Sequence, residues 1–272
     1  MRSFPATPKE MVASLWRHRQ LIYASAKREV LGRYRGSALG LLWSFFNPLF
    51  MLTVYTFVFS VVFQARWGSG TGSKTEFALL LFAGLIIFNL FSECFMRAPS
   101  IILSNPNYVK KVVFPLEILP FVVLLSALYH ALISLGVWFI AYTVLFGVPY
   151  KTIFFLPLII LPFCFFIMGI SWILASLGVF LRDVSQFIAI LTTVLLFLSP
   201  IFYPATALPE FYRNFIYLNP LTTVIEQTRG TLFWGEMPNF IITLCYWLAT
   251  ALFAWIGFAW FQKTRKGFAD VL

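Results

Sequence analysis

Charged side chains are scarce, making up 11% of the 272 residues, of which only ten are acidic, with two histidines beside them. So few charges cannot cover a water-facing surface, and the 60% hydrophobic content and mean hydropathy of +0.86 agree. An ordinary soluble domain is excluded. Catalysis has little to draw on: His18 lies in a basic stretch and His130 is alone among apolar residues, where it reads as a helix-helix hydrogen bond before a proton relay. Carboxylates near the middle of an apolar stretch are missing too, because Glu93, Glu117 and Asp183 all fall at the ends of such stretches. That argues against an ion-coupled transporter, which needs ionisable groups at membrane depth. Three cysteines, Cys94, Cys164 and Cys245, are odd in number and embedded in apolar sequence, so neither a disulfide framework nor a metal cluster is expected. The run GSGTGSKT at 68–75 is not a phosphate loop, since Ser73 stands where glycine must precede the lysine and the flanks are apolar spans. Residues 1–20 hold no apolar core or cleavage site, so no removable signal is expected.

The sequence is organised around residues 27–63. Lys27, Arg28, Arg33 and Arg35 precede 26 residues, 38–63, without an ionisable side chain. As a helix that stretch would run roughly 39 Å, against a hydrocarbon core of about 30 Å. Further apolar stretches at 77–96, 114–146, 152–181, 184–202 and 237–261 predict an all-α integral membrane protein of six transmembrane helices, in one domain spanning 1–272. Fifteen of the twenty Lys and Arg fall on one side of these spans, leaving Arg66, Lys74, Lys151, Arg213 and Arg229 on the other. The excess explains the net charge of +10 without nucleic acid and places both termini in the cytoplasm.

Residues 9–31 show helical spacing of apolar positions with basic residues between them, which predicts an amphipathic interface helix. It serves either as a collar touching a cytosolic partner or as a lipid anchor. Asn47-Pro48 predicts a kink or half-break in the first span, and Pro157 and Pro162 interruptions in the fourth. Glu93 and Arg97 are placed to pair at i,i+4. Residues 97–113 read as a short cytosolic helix between breaks, and Arg182-Asp183 as a tight turn. Residues 203–236, moderately apolar and punctuated by prolines and charges, are too few for two spans. They suit two half-helices turning near Asn219-Pro220, or an amphipathic cover on the outer surface. Aromatic residues crowd the first span and the end of the fifth, where they form either walls for a sugar chain or ordinary lipid-facing surface.

The ordered set KREVLGRYRGSALGLLWSFFNPL, KKVVFPLEILP, LRDV, LSPIFYP and LNPLTTVIEQTRG resembles the membrane subunit of ABC type-2 exporters of bacterial surface polysaccharides. The tail KGFADVL is most similar to the O-antigen exporters, with capsule and teichoic acid exporters as near relatives and drug or small-lipid ABC type-2 exporters as the further alternative. The resemblance implies a homodimer in the bacterial inner membrane, paired with two copies of a separate cytosolic ABC ATPase and carrying a lipid-linked polysaccharide. ATP and Mg would be bound by that ATPase, with no cofactor, metal or catalytic residue in this chain. It assigns coupling to the ATPase to Arg97, Asn105, Tyr108, Lys110, Lys111, Glu117, Arg182 and Asp183, and the conduit to Trp43, Asn47, Tyr55, Phe59, Phe197 and Tyr203. A membrane-embedded enzyme acting on lipid-linked sugars is the rival from another class; it needs a carboxylate or histidine cluster that the chain lacks.

Overall fold

The computed structural model describes residues 5–62, 74–110 and 114–271, and every regular element among them is helical. Five helices are long and apolar enough to cross a membrane: Gly40–Phe59, Thr75–Ser100, Leu116–Phe146, Lys151–Phe180 and Phe240–Val271. They are called here the first, second, third, fourth and last spans. A shorter apolar helix, Val184–Leu198, lies between the fourth and last.

The second span is the centre. Of its apolar stretch 78% is buried, against 11% of the first span's. The third and fourth spans, the short helix and a helix at Pro220–Arg229 all pack on it, while the fourth and last spans run side by side. Inside a bilayer apolar contact alone does not favour protein over lipid, so directional bonds between spans carry more of the specificity. Three indoles supply them. Trp138 donates to the carbonyl of Leu79 at 3.0 Å, Trp172 to that of Glu117 at 2.9 Å, and Trp247 to that of Leu158 at 3.0 Å.

The prolines act differently from the sequence expectation. The α-helix Trp43–Tyr55 runs through Pro48 without a break, and the irregular stretch comes later, as a wide π-type turn over Thr56–Val62. The helix Leu156–Phe180 is likewise continuous: Pro157 falls in its first turn, where a missing N–H costs nothing, and Pro162 removes a single interior bond. The real interruption is at Pro200. The apolar stretch 184–202 is helical only to Leu198, because the residue before a proline is pushed out of helical geometry and Ser199 is extended at φ −99°, ψ 148°. Fifteen helical residues reach about 22 Å, short of the hydrocarbon core.

The N-terminal segment is two helices, Pro8–Arg17 and Arg19–Arg33, separated at His18. Thr7 caps the first by accepting from the Glu10 amide at 3.2 Å, and Pro8 fits its first turn. On the second, Ile22, Ala26 and Val30, spaced by four, are buried, and the first two pack on Ile118 and Val122 of the third span. Trp16, Tyr23 and Val12 remain exposed. The segment therefore grips the helical body on one face and offers an apolar face outward.

Candidate functional site

Two polar assemblies gather at opposite ends of the bundle. At the basic end, the N-terminal helices, the 97–110 segment and the C-terminal tail are tied together. Arg33 pairs with Glu93; Arg97 pairs with Glu29 at 2.6 Å and lies 3.7 Å from Glu93. The expected Glu93–Arg97 pair thus exists but is the looser one, since both residues have partners on the second N-terminal helix. The segment after the second span is a 3-10 turn at Ala98–Ser100, an irregular turn, and a five-residue helix at Pro106–Lys110. Asn105 donates to the Ile101 carbonyl at 2.9 Å, which folds the segment on itself. The Tyr108 ring stacks on Phe114 at 4.2 Å and its hydroxyl accepts from Arg28 at 3.2 Å. Lys111 and the side chain of Lys110 lie outside the described residues.

Glu117, one of the residues assigned to coupling, sits inside the assembly. It is buried at 7% exposure, accepting from Ser14 at 2.9 Å and from Arg265 at 2.6 Å, while Arg265 also donates to the Phe114 carbonyl at 2.8 Å. One carboxylate thereby joins the N-terminal helix, the third span and the tail. Arg265→Ala leaves that buried charge with a hydroxyl alone and is expected to cost about 3 kcal/mol. The check is apparent melting in detergent of the two single variants and of Glu117→Gln with Arg265→Met, where the double change should cost clearly less than the sum of the singles. Additive losses would show that the pair is not coupled. Arg182 and Asp183 form an exposed turn just after Phe180, which packs on Phe268 of the tail.

At the opposite end, the polypeptide from Ser199 to Asn239 folds as a 3-10 turn at Ala205–Ala207, a helix at Glu210–Ile216, a helix at Pro220–Arg229 and a π-type turn at Gly230–Trp234. Asn219 caps the second helix by accepting from the Leu221 amide at 3.0 Å and donates to Ser199 Oγ at 2.9 Å. Pro220 fits the first turn, so the Asn-Pro pair marks the reversal. Phe211, Tyr212 and Phe215 of the first hairpin helix and Leu218 of the turn after it are exposed, whereas Leu221, Val224, Ile225 and Arg229 of the second are buried. Arg229, counted from sequence as an outer charge, is fully buried. Its Nε donates to the Leu80 carbonyl at 2.8 Å and its Nη2 to that of Ile201 at 2.7 Å, and Nη1 reaches Pro200.

The six residues assigned to a conduit fall into two groups. Phe59 stacks on Phe202 at 5.6 Å, Phe202 on Phe197 at 5.7 Å, and Tyr203 donates to the Phe197 carbonyl at 2.9 Å, so three of the six meet beside the hairpin. Phe59 also faces Phe77 of the second span at 5.9 Å, which makes it as much a packing residue as a wall. Trp43 and Asn47 lie toward the basic end, both exposed, and Tyr55 stands between the groups, 6.5 Å from Phe59. With Phe187, Ile190 and Phe197 of the short helix also exposed, the first span and the short helix present broad faces that no other described residue covers. Glu29, Arg33, Asn89, His130, Arg229 and Arg265 were not among the residues singled out for function. The available signal was their type, a charge or amide within or flanking an apolar span.

Residues 20–233 match the family described as "ABC-2 type transporter". The chain is 26% identical over 262 residues to the "O-antigen export system permease protein RfbA" of Myxococcus xanthus, covering 96% of this chain and 98% of the relative. It is also 26% identical over 254 residues to a protein of that name from Klebsiella pneumoniae, covering 93% of this chain and 95% of the relative.

Proposed function

Because this chain belongs to the ABC-2 type transporter family, we propose that it is the permease of an ATP-driven exporter moving lipid-linked polysaccharide of the O-antigen kind from the cytoplasmic to the periplasmic face of the inner membrane. The carrying observation is its end-to-end likeness to permeases named for O-antigen export. Two copies of the chain form the conduit, with the exposed faces of the first span and the short helix turned toward each other. That accounts for broad uncovered surfaces on the two elements least wrapped by the rest of the bundle. Two copies of a separate ATPase, which holds ATP and Mg, dock at the basic end, and both termini lie in the cytoplasm with them.

In this reading the 97–113 segment receives the ATPase's motion and passes it along a stiff body. Arg97 is held by Glu29, Tyr108 by Arg28 and Phe114, and Glu117 by Ser14 and Arg265. Movement of the segment therefore carries the N-terminal helices and the third span with it. Glu117 acts inside that body as a positioning residue, and Arg182 and Asp183 line its edge. The hairpin at 203–236 forms the periplasmic mouth.

The test is deletion of the chain followed by staining of surface and intracellular polymer, with a tagged copy purified in mild detergent. Surface polymer should vanish, polymer should accumulate inside, and an ATPase should copurify in equal amount. Sensitivity to small toxic compounds with surface polymer intact would instead make it a drug or lipid exporter. Lys110→Glu with Lys111→Glu is expected to lower export about tenfold, equivalent to about 1.4 kcal/mol of docking free energy, with the chain still at its normal level in the membrane. Unchanged export would remove this segment from the docking surface.

A further inference from the structure

Between the first three spans a polar notch of about 370 Å³ opens on the surface of the chain. Its walls bring together Tyr34 from the end of the N-terminal helices, Asn47 and Tyr55 from the first span, Asn89 from the second and His130 from the third. Asn47 and Tyr55 share a span, but Asn89 and His130 lie 42 and 83 residues after Asn47, and nothing in their spacing announces the grouping. Side-chain amides within an apolar span are costly against lipid unless something polar satisfies them, yet Asn47 and Asn89 are both exposed. The Nε2 atom of His130 is buried and has no hydrogen-bond partner among the described residues. The other ring nitrogen faces the Tyr34 hydroxyl at 3.5 Å, with the two rings edge to face at 6.0 Å. The imidazole is therefore held in place by one nitrogen, while the other has no partner among the described residues.

The charges around the notch decide which ligand fits. Arg33 is taken up by Glu93, and Glu93 and Glu29 together balance Arg97. A phosphate entering here would find its one nearby guanidinium already paired and a carboxylate beside it. A neutral ligand rich in hydroxyls meets no such conflict, because amides and a neutral imidazole both donate and accept. The tyrosine rings add apolar faces suited to the C–H side of a sugar. The volume lies near the lower end of the range for small-molecule pockets, about 300–1,000 Å³, which suits one or two sugar units.

We propose that this notch is a sugar-binding station, holding a unit of the transported polymer by hydroxyl contacts to the exposed amides of Asn47 and Asn89, with a ring face against Tyr55 and His130 in the wall beside them. It rests on the exporter reading above, and it places the first polar foothold for the polymer in the half of the bundle nearer the basic end. From there Tyr55 leads toward the aromatic group at Phe59 and Phe197.

The experiment places photoreactive benzoylphenylalanine at position 89, at position 197 beside the hairpin, and at the exposed position 132 of the third span, in cells making their surface polymer. After irradiation the chain is purified and stained for sugar. A sugar-bearing adduct at 89 and none at 132 is the expected result. Adduct at 197 but not at 89 would overturn the notch and leave the exporter standing. A chain-to-chain crosslink at 89 would overturn it by showing that a second copy fills the space. No sugar at any position, with surface polymer unaltered when the chain is deleted, would remove the exporter reading and the notch with it. In parallel, Asn89→Leu with His130→Leu should lower export about tenfold, as expected when hydrogen-bonding groups toward a ligand are lost, while Asn89→Gln with His130→Gln retains most of it. Export by the leucine variant equal to the parent's, at equal chain level and with the ATPase copurifying, overturns the proposal whatever the crosslinking gives.

Discussion

Arg229→Met should yield a chain that still enters the membrane but melts about 10 °C or more below the parent. The guanidinium is fully buried and serves three carbonyls, those of Leu80, Pro200 and Ile201, lying 149, 29 and 28 residues away in sequence. Two of them belong to the stretch where Pro200 ends the short helix, and those carbonyls have no following turn to accept from. Each buried carbonyl left without a donor costs about 1–3 kcal/mol, so three together amount to about 3–6 kcal/mol or more. At about 2–4 °C per kcal/mol for a chain of this size the shift is large. Arg229→Lys should rescue little, because one ammonium cannot reach three acceptors along the diverging arms of a guanidinium. Gly84→Ala should reproduce part of the loss from the other side, since a Cβ there would fall 2.6 Å from Arg229 Nη2. Heating purified samples and following the surviving monodisperse peak by size exclusion measures all three. A near-normal melting point for Arg229→Met would show that the carbonyls find other donors and that Arg229 is no clasp. The consequence for export follows from position: Arg229 joins the hairpin to both the end of the short helix and the central span, so its loss frees the proposed periplasmic mouth.

What was legible in the sequence was what is local. Hydropathy marks the long spans, since each reports on its own environment, whereas the helical spacing over 9–31 marks an amphipathic segment without showing that His18 divides it or that Ile22, Ala26 and Val30 turn inward while Val12, Trp16 and Tyr23 stay exposed. Asn219-Pro220 marked the hairpin turn, because capping chemistry is read within three residues. Proline effects were misjudged at Pro48 and Pro162, where the helix continues, and missed at Pro200, where it stops. At Pro162 the carbonyl four residues back, that of Leu158, accepts from Trp247, whereas beyond Leu198 the extended backbone turns its Pro200 and Ile201 carbonyls to Arg229, which sequence alone places among the outer charges. The same limit applies to Glu117: its partners Ser14 and Arg265 are 103 and 148 residues away, so its buried ion pair is not legible in the local sequence. The notch follows this rule too. Asn47, Asn89 and His130 each read as an isolated polar residue in an apolar helix, and only the packing of three spans makes them neighbours.

Gly178→Ala, a single methyl group near the end of the fourth span, should disable the chain's basic end. A Cβ at 178 would fall 1.9 Å from the Pro99 carbonyl oxygen and 2.6 and 2.7 Å from that residue's carbonyl carbon and Cα. All three are backbone atoms, so no rotamer change relieves the clash, and the 3-10 turn at Ala98–Ser100 must move off the fourth span. Overpacking of this kind costs about 1–3 kcal/mol, which predicts a fall in melting of about 5 °C. The functional loss should be larger than the thermal one. The displaced turn follows directly on Arg97, whose pair with Glu29 fixes the second N-terminal helix, and it leads into Asn105 and Tyr108. If this segment takes the ATPase's stroke, then export should fall by about tenfold or more, the effect of misplacing a docked element by more than about 1.4 kcal/mol of coupling, while the ATPase still copurifies and still hydrolyses ATP. Gly136→Ala supplies the control. Apart from its neighbours and the backbone of its own helix turn, no described atom lies within 4 Å of a Cβ built there, so the added methyl in the third span should be neutral or slightly stabilising through helix propensity. If Gly178→Ala melts and exports like Gly136→Ala, the fourth span does not seat the 97–110 segment in the working protein, and the force from a docked ATPase must enter the bundle through the N-terminal helices instead.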